Sequence, residues 1–103
     1  MSNSFSYKIT NDSEQFTFDY TPVMGSSETI SSATCTIVVK EGSDSNPTAM
    51  LIGTPLISGF KVAQRISGGL DGVTYSIQMT ATTSLSNVYT IVGDLPVLAP
   101  INV

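Results

Sequence analysis

Histidine and tryptophan are absent from this 103-residue chain, cysteine occurs once, and lysine and arginine together number four. Each shortage closes off a class of function. Without histidine the chain lacks the commonest general base near neutral pH and the commonest metal ligand. Ser-His-Asp and Cys-His hydrolases go with it. A zinc site goes too, because one thiol and no imidazole cannot supply four N/S ligands. The net charge is −4, and four scattered cations cannot build the basic face that neutralises phosphates. Nucleic acid is therefore excluded as a partner, and an anionic membrane surface is disfavoured for the same reason. No apolar run approaches the roughly 18 residues of a membrane span. The single Cys35 allows no intrachain disulfide, which small secreted domains often carry. Met1 leads into SNSFSYK with no charged segment followed by an apolar one. Both features predict a chain made and folded in a reducing cytoplasm.

What fills the space is hydroxyl and β-branched character. Charged residues make up only 12% of the chain, against roughly 25% in ordinary soluble domains. Serine (15 residues) and threonine (13 residues) take their place. Threonine suits strands because its branched Cβ fits a pleated surface. The length allows one domain with one core and is too short for two.

Period-two alternation runs through most of the chain and predicts half-buried strands. It is clearest in the stretch 60–92. There Val73, Tyr75, Ile77, Met79 and Ala81 share one face, and Thr74, Ser76, Gln78, Thr80 and Thr82 share the other. Before it, Phe60, Val62, Gln64 and Ile66 share a parity. After it, Tyr89, Ile91 and Leu95 continue inward. Earlier runs place Phe5, Tyr7 and Ile9 on one face with Ser6, Lys8 and Thr10 opposite. They also group Phe16, Phe18 and Tyr20, and then Cys35, Ile37 and Val39. Met50, Leu51 and Ile52 are split from Leu56 and Ile57 by Gly53, Thr54 and Pro55. That segment is either one bulged strand or two short ones. The segments 41–47 (EGSDSNP) and 68–72 (GGLDG) are loops by composition. Pro96 and Pro100 predict that the end of the chain is an extended tail rather than a ladder strand.

No segment has an apolar period near 3.6, and no internal repeat is present. Seven or eight strands at roughly ten-residue spacing predict an all-β fold: a two-sheet antiparallel immunoglobulin-like sandwich in a single domain. A small barrel is the competing architecture. The expected organisation is a frayed N-terminus at 1–4, the sandwich at 5–95 and an extended tail at 96–103.

Chemistry-bearing residues are sparse. Cys35 lies mid-strand on an apolar parity, where a small packed residue is expected and nothing cationic would activate a thiolate. Glu41, Asp44 and Asn46 could approach calcium, but such loops need more carboxylates and a bidentate closer. Asp12, Glu14 and Asp19 read as solvated charges on exposed strands. Such charges also block wrong pairing. The period-two aromatics read as core filling rather than a stacking platform. Gly68, Gly69 and Gly72 lie between strands, unlike a phosphate loop. No cofactor and no metal are expected.

Particular stretches resemble a known family. They are DYTPVMGSSETISSATCTI at 19–37, KVAQRISGGLDGVTYSIQMTATTS at 61–84 and VYTIVGDLPV at 88–97. In order and content they are similar to the small immunoglobulin-like structural proteins of tailed bacteriophages, the fiber–tail adaptor or neck-associated family. The chain departs from that pattern at Cys35, where a tryptophan is expected. The resemblance implies a non-enzymatic virion component at the head–tail or neck region or at tail-fiber attachment. It implies other capsid, neck or tail subunits as partners, and multiple copies in a symmetric assembly. A carbohydrate- or host-surface-binding module is the alternative. Candidate partner contacts are Asp44 and Asn46 in one loop, Gly69 and Asp71 in the next, and Leu95, Pro96, Val97, Leu98, Ile101 and Val103 toward the C-terminus.

Overall fold

The computed structural model describes residues 2–4, by backbone alone, and residues 7–100. Phe5, Ile101 and Val103 lie outside the described residues. Eight strands follow in chain order: β1 (Ser2–Ser4), β2 (Lys8–Ile9), β3 (Ser13–Asp19), β4 (Ile30–Glu41), β5 (Leu51–Ser58), β6 (Lys61–Ser67), β7 (Thr74–Thr83) and β8 (Val88–Leu98). A 3-10 turn at Pro47–Met50 is the one helical element among the described residues.

The strands form two sheets. The larger has the order β1-β8-β7-β4, with β2 also on β8; the smaller has the order β3-β6-β5. The all-β sandwich expected from the alternation is therefore observed. Grouping β4, β7 and β8 in one sheet and β3, β6 and β5 in the other matches the CFG and BED division of immunoglobulin-like sandwiches. The pairing is not wholly antiparallel, because β1 and β2 both run parallel to β8.

Alternation in β7 translates directly into burial. Tyr75, Ile77, Met79, Ala81 and Thr83 are buried, and the residues between them are half-exposed. A central strand paired on both sides has no freedom to rotate its inner face away from the core. Opposite it the smaller sheet contributes Phe18, Val62 and Ile66, and β8 adds Ile91, Leu95 and Val97. Tyr20 is fully buried and its hydroxyl donates to Met79 O at 2.5 Å. That bond satisfies the polar end of a large core side chain. The β5 segment is one strand, with a register shift between Ile52 and Leu56 at Gly53-Thr54-Pro55.

Three expectations are corrected. Of the segment expected to be frayed, Ser2–Ser4 is a strand that pairs with Val92, Gly93 and Asp94 of β8. The tail does not begin at 96, because β8 continues to Leu98, pairing Pro96 with Thr74 and Val97 with Lys8. The position of Pro96 explains why proline is tolerated there. Val97 donates its N–H to Val73 O, so the Pro96 nitrogen faces the opposite side of β8, since successive residues alternate. On that side β1 ends opposite Asp94 and β2 begins opposite Val97. The missing N–H therefore interrupts no hydrogen bond between β8 and β7. Third, the parity of the first run is inverted. Lys8 is fully buried and Tyr7 is 54% exposed.

Candidate functional site

Three segments chosen from sequence as separate contact regions converge on one end of the sandwich. Asp44 of the 41–47 loop accepts the Tyr75 hydroxyl at 2.7 Å and the Asn46 N–H at 2.9 Å. The Tyr75 hydroxyl accepts the Leu70 N–H at 3.0 Å, which ties the 68–72 turn to the same point. A tyrosine at the start of this strand, bonded to backbone a few residues upstream, is a device known from immunoglobulin-like sandwiches. Asp71 accepts the Ala99 N–H at 2.8 Å, and Gly72 donates to Val97 O at 2.9 Å. Gly69 has φ +104°, and a Cβ there would lie 2.9 Å from Met50 Cε and 3.1 Å from Val97 Cγ2. Only glycine meets both the conformation and the close approach.

Lys8 closes this end from inside. Its ammonium donates to Gly68 O at 2.6 Å and to Ile9 O at 2.8 Å. Burial pulls its pKa below the usual lysine value, with Asp12 and Glu14 opposing from a distance. Burial also pushes the Tyr75 hydroxyl up to about 12, reinforced by its bond to Asp44. The Asp44 carboxyl is held below its ordinary value by the Asn46 N–H and the Tyr75 hydroxyl.

The candidate contacts divide sharply. Asn46, Asp71 and Leu98 are exposed, Asp44, Gly69 and Pro96 are half-buried, and Leu95 and Val97 are fully buried. Leu95 and Val97 are core residues, and their assignment as contacts is withdrawn. They alternate with Pro96 and Leu98 because β8 continues through them. Leu70, 49% exposed, lies at the tip of the 68–72 turn expected to make contacts but was not singled out there, and Tyr7 was missed. An isolated leucine among glycines and an aspartate was the available signal. Tyr7 was hidden by the inverted parity of β2.

The opposite end is built around a buried anion. The Glu28 carboxylate accepts the Thr83 hydroxyl at 2.5 Å, the Asn87 side-chain N–H at 2.8 Å and the Gly25 N–H at 3.1 Å. These donors, the Thr83 hydroxyl first, hold its pKa below the ordinary value.

The outer faces of the two sheets differ as well. Thr34, Thr36, Ser76, Gln78, Thr80 and Thr90 pave the middle of the larger sheet without a charge. The Thr80 and Thr90 hydroxyls bond across strands at 3.0 Å. The ion pair of Lys40 and Asp94 lies at one end of that field. The smaller sheet carries a groove of about 460 Å³ over Ile52, Leu56, Ala63 and Arg65.

Among the described residues no three His, Cys, Asp or Glu side chains gather as a metal would require. Asp19, Glu28, Asp44, Asp71 and Asp94 are each committed to a structural hydrogen bond or ion pair. Cys35 is half-buried, and burial pushes its thiol up to about 11, away from the reactive thiolate. Of the period-two aromatics, Phe18 and Tyr20 are buried in the core and Phe16 is half-buried, whereas Tyr7 is exposed. No described helix is long and apolar enough to cross a membrane.

Comparison with known proteins fits a binding role. The family model described as podophage GP4 fiber-tail adaptor protein gp77 matches residues 8–92. No curated protein matches the chain. Among solved structures, a 2,6-sialyltransferase of Vibrionaceae Photobacterium sp. JT-ISH-224, in a ternary complex with CMP and lactose, aligns at 15% identity and a TM-score of 0.46. The alignment covers 97% of this chain and 18% of that one. A likeness so distant carries no functional argument. The family match does: the chain belongs to the podophage GP4 fiber-tail adaptor family and is a structural adaptor of a phage particle.

Proposed function

We propose that this adaptor acts without catalysis at the head–tail or neck region or at tail-fiber attachment, and that its loop end docks on a neighbouring virion protein. The observation that carries this reading is the construction of that end. Leu70 projects from a turn fixed by the Tyr75 hydroxyl, which is itself fixed by Asp44. An exposed apolar side chain on a pre-ordered loop costs little further entropy when it is covered, and so suits an anchor. Leu98, the last residue of β8, and Tyr7, just before β2, expose apolar surface at the same end. Several copies in a symmetric particle would repeat this contact. Synthesis and folding in the host cytoplasm fit a chain whose one cysteine needs no partner.

Complementation of a phage lacking this gene tests the reading. A Leu70→Glu, Leu98→Glu variant should fold with unchanged circular dichroism, because both side chains project into solvent. It should be depleted from purified particles at least tenfold. Incorporation at the wild-type level would remove the loop end from the docking surface.

A further inference from the structure

The two sheets have four edges, and the strands that form them differ in chemistry. β5 carries Gly53, Pro55 and a register shift. β3 carries Glu14 and Asp19. β1 and β2 are short and interrupted. Each of these is a known way of blunting a sheet edge. β4 is different. It spans Ile30–Glu41 and, among the described residues, pairs with β7 alone. From Ser31 to Val39 it contains no charge, no proline and no glycine. Its two register shifts lie near its ends, between Ile30 and Ser32 and between Val39 and Glu41, which leaves the middle regular.

The hydrogen-bonding direction of this free edge can be derived. Thr83 donates its N–H to Asn87 O, and Ser84 donates to Thr29 O. Odd-numbered β7 residues therefore turn toward β8 and even-numbered ones toward β4. Thr34 and Thr36, which pair with Thr80 and Gln78, complete that ladder. The N–H and C=O groups of Ala33, Cys35 and Ile37 are left pointing away from the sheet.

We propose that the β4 edge binds a second copy of this chain, β4 against β4 in antiparallel register about a two-fold axis at Cys35. Three features favour the same chain as occupant. Each copy carries a net charge of −4, so self-association needs a strip free of charge, and 31–39 is that strip. The two-fold register sets small against large on both sides of the axis: Ala33 faces Ile37, Ser32 faces Val38 and Ser31 faces Val39. Val38 is 47% exposed in the single copy, and this contact would cover it. Thr34 then faces Thr36, repeating the hydroxyl pair that Thr80 and Thr90 already make within the sheet. The bonded pairs Ala33–Ile37, Cys35–Cys35 and Ile37–Ala33 exchange about six backbone hydrogen bonds, two per pair. Isologous pairing of this kind closes on itself as a dimer. The proposal stands independently of the loop-end docking surface.

Light scattering of the purified chain over a concentration series tests it. The mass should rise from 10.9 kDa toward twice that value. Thr36→Lys lies on the exposed outer face and places a cation from each copy beside the axis. It should remain monomeric at every concentration, with a melting temperature that does not change with concentration as that of a dimer does, and Thr36→Ser should still dimerise. Mild oxidation with diamide, two thiols giving one disulfide as the diamide is reduced, should trap the wild-type dimer through Cys35. A bonded antiparallel pair sets Cα atoms about 5.5 Å apart, within disulfide reach. A wild-type chain that stays monomeric overturns the proposal, as does a Thr36→Lys chain that dimerises. If the wild type is monomeric and Thr36→Lys alone is excluded from particles, the edge belongs to a strand of another protein and the self-pairing is wrong.

Discussion

The two ends of the sandwich solve the same problem with opposite charges. At one end the Lys8 ammonium is buried against backbone carbonyls of the 68–72 turn and of its own strand. At the other the Glu28 carboxylate gathers hydroxyl, amide and backbone donors from the turns around it. Glu28 is well served, because side chains aimed at it satisfy its oxygens and favour its charged form. Lys8 is less well served, because its partners are two neutral carbonyls and burial works against its charge. The loop end is also the one that presents Leu70 and Leu98. The end with the costlier charge is the end proposed to dock. Ordering a loop from below with a buried cation keeps its outer surface free for a partner.

The strongest way to break this contrast is to strike the loop end where it cannot yield. Gly69→Val combines a side chain in the left-handed region with a clash against Val97 and Met50. Overpacking and backbone strain together should cost about 3 kcal/mol. Thermal unfolding should show a large drop in melting temperature for this variant. Gly53 also has positive φ, but a Cβ there meets nothing within 4 Å, so Gly53→Val should cost clearly less. Equal losses at the two positions would mean that backbone strain alone matters and that the packing of the turn on β8 does not.

Legibility in the sequence follows the same division. The faces of β7 could be read residue by residue because a central strand buries every second side chain and leaves no other choice. Two of the three contact regions were found as loops and the third as an extended tail, but nothing in the sequence showed that Tyr75 and Asp44 draw the two loops together, since that bond spans 31 residues. β2 was misread because a lysine between two apolar residues signals an outward cation. Its long apolar stem can instead follow the core inward if carbonyls wait at the end. The end of β8 was misread because the missing N–H of Pro96 faces away from β7 and so breaks no bond to it. The free β4 edge was legible as composition and illegible as an edge, because pairing order is a property of the whole chain.

A smaller effect sharpens the contrast at Lys8. Lys8→Ala leaves Gly68 O without its donor, whereas Ile9 O keeps the Asp12 N–H. One buried carbonyl left unpaired should cost about 2 kcal/mol. Lys8→Met keeps the volume of the stem and loses only the ammonium, so it should fall between the wild type and Lys8→Ala in a urea titration. If Lys8→Met proves more stable than the wild type, the cost of burying the charge exceeds the worth of its bonds, and the loop end is strained by design.

The smallest loss is expected at Glu28, and its signature is the pH dependence. Glu28→Gln is isosteric and keeps one acceptor oxygen, but it sets an amide against donors that were aimed at a carboxylate. The folded-state pKa of Glu28 lies below its ordinary value of 4.5. The unfolded chain therefore takes up this proton first as pH falls. The contribution of Glu28 to stability is present above the unfolded pKa and is lost as pH drops through the folded one. The glutamine variant has no such proton to bind. Its melting temperature should lie below that of the wild type at about pH 7, and the two should converge toward about pH 3. Parallel curves over that range would mean that the Thr83, Asn87 and Gly25 donors do not favour the charged form. The two ends would then differ in sign alone and not in how well each charge is satisfied.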